Sequence, residues 1–283
     1  MTGTIAQLVA LTCYGNAYLS GQATPQFFPA NSTCQFCERI TYVTLGTSLF
    51  GKPKETEVAP DPDAWFINLK KRGATGLRLS CTPQNRPGIS DRMSAGFVGG
   101  GGSWTIEVLL PRGESEQWMA RWGVGNQKAA DKRIWRVTYG CVSVSKTVQT
   151  SAPDLPNVLR ELQESLKEIR AFSALHKLDG FTRWFDDALD TIETKGEKRH
   201  GYHQDLAPAG ILSSEAGTVL DACQKSWVFG GMGSWNDMGF DGEEQKTYNR
   251  VSDRLFQAVN AAIKQAATST MKDGRTTGGT ERR

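Results

Sequence analysis

Four stretches of the chain carry residue types that can do chemistry. The first is Cys34-Gln35-Phe36-Cys37. Two thiolates at this spacing are half of a tetrahedral zinc set, or a dithiol for exchange chemistry. The other half, a second such pair or two close histidines, is absent from the sequence. Zinc at Cys34 and Cys37 would therefore need distant help from Cys13, Cys81 or Cys141. Redox pairs of this kind open a helix, whose dipole lowers the thiol pKa. This one opens a strand-like pattern, so buried core cysteines are the simpler reading.

The second stretch is His200-Gly201-Tyr202-His203-Gln204-Asp205, which holds two of the three histidines. Imidazole and carboxylate are the groups for metal ligation and for proton transfer near neutral pH. A hydrolase, with or without a metal, would use His200, His203 and Asp205. Against this, the segment lies in a Lys- and Gly-rich connection spanning 194–208, where polar residues serve solubility alone.

The third stretch runs from Phe229 to Asp237 (FGGMGSWND). Glycines ahead of a helix can let backbone N–H groups approach a phosphate. Neither the phosphate-loop pattern nor the dinucleotide fingerprint is present. Asp237, Asp241, Glu243 and Glu244 make the neighbourhood acidic, which suits a cation or a basic partner better. Gly231, Gly233, Trp235, Asn236 and Asp237 are the candidate binding residues, because aromatics anchor interfaces and loops carry function. The fourth stretch, Gly99–Gly102 before Ser103 and Trp104, has no nucleophile-elbow motif to serve, so it reads as a hairpin or bulge between two strands.

These residues must be positioned by two kinds of element. Between about 34 and 148 the apolar period is 2: Leu77, Leu79 and Cys81; Trp104, Ile106 and Val108; Trp135, Val137, Tyr139 and Cys141. Such alternation marks strands with one buried face, and Gly- and Pro-rich turns separate them. About five strands follow, with short helices expected at 63–72 and at 114–122, where Trp118 and Trp122 stand four apart. After Pro153 the period becomes 3.6. Leu155, Leu162, Leu166, Ile169 and Phe172 form one stripe. Phe181, Trp184, Phe185, Ala188 and Ile192 form a second. A shorter helix spans 214–227. A last one carries Tyr248, Val251, Leu255, Val259 and Ile263, opened by Asp241 with Glu244 three residues on.

The expected fold is α+β: an N-terminal, mainly antiparallel β-sheet (1–150), then a C-terminal helical part (151–267) packing on it, then a polar tail (268–283). The two parts could form one domain. The 283 residues are 39% apolar, enough for a core, and contain no apolar run long enough to span a bilayer. A net charge of +3, with dispersed basic clusters, gives no support for nucleic acid. The opening MTGTIAQLVALTCYG shows no export signal, and six cysteines are few, so free thiols in a reducing cytoplasm are expected. With no complete catalytic template in the chain, the leading expectation is a protein that binds a protein partner or assembles into a complex. The hydrolase is the alternative, and no cofactor is implied beyond possible zinc.

Overall fold

The computed structural model describes residues 1–47, 53–84, 88–148, 151–196 and 202–272. His200 lies outside this set. The first element is a helix, α1 (Gly3–Leu19), started by Thr2, whose hydroxyl accepts from the Ile5 N–H. Every residue from Ile5 to Ala17 is buried. A helix apolar all round has no stripe and belongs inside a fold. α1 packs against the sheet, against α2 (Pro62–Lys71) and against α7 (Gly242–Thr268).

Six strands form one sheet: β1 (Cys37–Thr47), β2 (Pro53–Ala59), β3 (Gly76–Thr82), β4 (Ser103–Leu110), β5 (Glu114–Val124) and β6 (Trp135–Lys146), in the order β2-β1-β6-β5-β4-β3. All neighbours are antiparallel except β1 and β6, which run parallel. The fold is α+β, with a mixed six-stranded sheet in the N-terminal half and the helices of the C-terminal half packing on it. One strand not foreseen is β2, PKETEVA, whose residues lack apolar alternation. It is an outer strand, and its Lys54, Glu55 and Glu57 keep that edge charged. At the opposite edge, Asn16 of α1 accepts from the Leu77 N–H at 2.7 Å and donates to the Leu77 carbonyl at 3.0 Å. Side chains thus satisfy backbone groups that would otherwise invite another strand.

The stretch 114–122 is strand, not helix. Residues four apart share a face at either period, and a bulge between Gln117 and Trp118 keeps Trp118 in the core. Trp118 packs with Trp65 and Tyr42, and Tyr42 stacks on Trp65 at 4.4 Å. The helix expected at 63–72 is α2, capped by Asp61.

The helical half consists of α4 (Leu155–Leu175), α5 (Asp179–Glu193), α6 (Ser214–Lys225) and α7. Leu162, Leu166, Ile169, Leu255, Val259 and Ile263 join one apolar cluster that continues through α1 to the sheet. Trp184 is the exception on its stripe: it sits at the flank of α5 and is exposed. Asp241 flanks α7 but its side chain makes no capping hydrogen bond. The reciprocal capping box forms earlier, between Ser234 and Asp237. Thr268 ends α7, its hydroxyl accepting from the Leu79 N–H at 3.1 Å, and Thr270 is buried against Asn16. Among the described residues no helix is long and apolar enough to cross a membrane.

Candidate functional site

The two glycine-rich stretches meet. α3 (Asp91–Ser94) is followed by a tight loop, 95–102, in which Gly99, Gly101 and Gly102 take positive φ. Only glycine adopts these angles without strain. The loop presses on the 229–237 loop so closely that a Cβ on Gly96 would lie 2.3 Å from the Gly230 carbonyl. The Gly99–Gly102 run closes the long hairpin connection between β3 and β4, whose pairing reaches Thr82 and Ser103. Its glycines fold onto Ser94, Ala95 and Cys81, while Gly96, just before the run, meets the other glycine loop.

A polar network fastens the two loops. Arg92 is buried. Its guanidinium donates to Asn236 Oδ1 at 3.0 Å, to Asp253 at 2.7 Å and to Asn249 at 3.2 Å. Asn236 Nδ2 donates back to the Arg92 carbonyl at 2.9 Å. The guanidinium also lies over the Tyr248 ring, 5.4 Å from its centre. A buried cation requires this density of acceptors to offset its lost hydration.

The candidate binding residues divide accordingly. Trp235 is fully enclosed, its indole N–H donating to Ser252 at 2.7 Å and its ring set against Phe181, Phe185 and Tyr248. Asn236 is buried in the Arg92 network. The Asp237 carboxylate accepts from the N–H groups of Gly233 and Ser234. Gly233 turns the chain at positive φ, and Gly231 abuts Gly96. These five residues shape and hold the loop. What the loop presents outward is Met232, which is wholly exposed. On the facing loop, Phe97 is 69% exposed and Val98 61%. A cleft of about 300 Å³ opens beside them, walled by Phe97, Val98, Trp104, Met119, Trp122 and Trp135. The sequence held one signal for this surface: apolar residues flanked by glycines in loops, where local structure gives them nothing to cover.

The histidine segment forms a second constellation. Asp205 accepts from the Ser32 N–H at 2.7 Å and from the Ser32 hydroxyl, and its own carbonyl accepts from Asn31 at 2.7 Å. His203 Nδ1 lies 2.7 Å from the same hydroxyl. The carboxylate can only accept, so the hydroxyl proton points to Asp205 and the hydroxyl oxygen accepts from His203 Nδ1–H. The imidazole is thereby fixed in one tautomer, with Nε2 as its lone-pair nitrogen. Gln224 holds the His203 backbone on both sides, at 3.0 and 3.2 Å. Burial lowers the His203 pKa, opposed by Asp205 and helped by the N-terminal ammonium. Sequence reasoning missed Ser32, which lies far away in the chain at the start of a short 3-10 turn, Ser32–Cys34.

Cys34 ends that turn and Cys37 opens β1. Both are buried. Burial pushes the Cys34 thiol up to about 12, with Cys37 adding to the effect, and the Cys37 thiol up to about 11. The Gln7 amide donates to Cys37 Sγ at 3.6 Å. Among the described residues no group of three or more His, Cys, Asp or Glu side chains is placed to hold a metal ion. All six cysteines are free thiols. No protein-family model, curated protein or solved structure matches the chain.

Proposed function

We propose that this protein works by binding a protein partner through the surface formed where its two glycine loops meet. One observation carries the reading: the Gly96–Gly230 contact sets exposed Met232 on the loop neighbouring Phe97 and Val98, which border a mainly apolar cleft. Exposed apolar side chains on neighbouring loops are candidates for burial by a partner, and Met and aromatic residues are the usual anchors of interfaces. The cleft accommodates a large apolar side chain from the partner, the usual form of a binding hot spot. Trp235, Asn236 and Asp237 serve by holding the surface, and Gly231 and Gly233 by letting the loops approach and turn.

The test is association. Light scattering and co-purification of the intact chain should reveal a complex, and Phe97→Asp with Met232→Asp should abolish it while circular dichroism stays unchanged. A strict monomer with no co-purifying protein, or a complex indifferent to both substitutions, contradicts the reading.

A second reading, hydrolysis, draws support from the convergence of His203 and Asp205 on Ser32. In that reading His203 Nε2 is the base that activates water, because the Ser32 proton is committed to Asp205. Activity on ester substrates that disappears in His203→Gln would support it; activity unchanged in that variant would refute it.

A further inference from the structure

The constellation around His203 borders a cavity that partner binding leaves unexplained. It has a volume of about 270 Å³, and its lining includes the rings of Phe36, Trp122, Trp135 and Tyr202 and, among polar residues, Ser32, Gln35 and His203 beside Met1. Tyr202 meets the imidazole edge-on at 4.8 Å, and Trp122 meets Trp135 edge-on at 5.9 Å.

We propose that this cavity binds a small planar heteroaromatic molecule, such as a free nucleobase or a pyridine amide, which donates a hydrogen bond to His203 Nε2. Three observations carry it. First, the imidazole is held more firmly than loop fastening requires. Asn31, Ser32 and Asp205 already tie the loop to the 3-10 turn, and Gln224 ties it to α6. The contact from Ser32 to Nδ1 adds only the choice of tautomer and ring direction, which is how binding sites prepare a lone pair. Second, Nε2 makes no hydrogen bond among the described residues, nor is it a buried atom left unsatisfied. It stays open to an incoming donor. Third, the walls include four rings, whose faces stack on planar ligands. Trp122, which also lines the neighbouring cleft, contributes its ring to the wall. Pockets of mainly apolar lining with a few fixed polar groups are the common form of small-molecule sites.

The test uses the full chain with adenine, cytosine and nicotinamide as probes, read by calorimetry and by the nitrogen resonances of labelled histidine. At least one probe should bind one-to-one and shift the Nε2 resonance of His203, with Nδ1 protonated throughout. His203→Phe keeps a ring but removes the acceptor and should weaken that binding about tenfold. Trp122→Phe should weaken it less, with the fold intact in circular dichroism. If His203→Phe does not fold, the resonance shift in the unaltered protein decides. No binding by any of the three at millimolar concentration overturns the proposal. So does binding that leaves the His203 resonances unmoved, or binding undiminished in His203→Phe.

Discussion

Arg92 and Asn236, 144 residues apart, exchange two hydrogen bonds: guanidinium to side-chain amide at 3.0 Å, and side-chain amide to the Arg92 carbonyl at 2.9 Å. Neither loop has regular structure of its own beyond a single short turn. This exchange, with the Gly96–Gly230 contact, makes them one surface.

Because Arg92 is buried and its acceptors are specific, removing it should be costly. Arg92→Met strands the buried Asn236, although exposed Asn249 and the half-exposed Asp253 regain water. The expected loss is about 2–4 kcal/mol, and about 1–3 kcal/mol for Asn236→Ala. Urea unfolding of both single variants and the double variant measures this, and the double should lose less than the sum. Additive losses would mean that the two residues do not act together.

Gly96 tolerates no side chain, since the atoms met at 2.3 Å are backbone of Gly230, which cannot rotate away. Gly96→Ala should part the loops at a cost of about 1–3 kcal/mol. Hydrogen exchange should rise at 229–237 and stay unchanged in α4. Unchanged exchange in the loop would refute the contact.

The cysteines should be inert in the native state. Burial pushes Cys13, Cys34 and Cys223 up to about 12, and Cys37, Cys81 and Cys141 up to about 11. The thiolate is the reactive form, so iodoacetamide at pH 8 should label slowly. Cys81, the least buried of the six, should react first, and denaturant should release all six. Mass spectrometry of labelled peptides reads the order. Rapid labelling of Cys34 or Cys37 would contradict their placement.

Acid should weaken the fold partly through His203. Its folded pKa lies below the ordinary 6.5, chiefly through burial, so the unfolded chain takes up the proton first as pH falls. This contribution is intact above 6.5, is lost as pH drops from 6.5 to the folded value, and then levels off. Urea midpoints across that window should fall more steeply for the unaltered chain than for His203→Gln. Equal slopes would show that His203 is not held neutral by the fold.

The helical half was legible because its helices lie on a surface and bury one stripe each: Leu155 to Phe172 in α4, Tyr248 to Ile263 in α7. α1 was not legible as a helix. Buried on every side, it shows no contrast between faces, and period is a contrast. β2 escaped for the opposite reason, since an outer strand of Lys, Glu and Thr buries almost nothing. Trp118 and Trp122 misled because a spacing of four satisfies both a helix and a strand. Each glycine loop was visible by itself. Their contact was not, nor was the meeting of Ser32 with His203 and Asp205, because pairs so far apart leave no local pattern.

The claim that the paired loops are a partner-binding surface is tested most directly by placing a photo-crosslinking residue at 232, with the same residue at exposed Leu175 as control. Irradiation in extract of the native source should give one discrete adduct from position 232, suppressed by Phe97→Asp and absent from position 175. No adduct, or the same adducts from both positions, would contradict it.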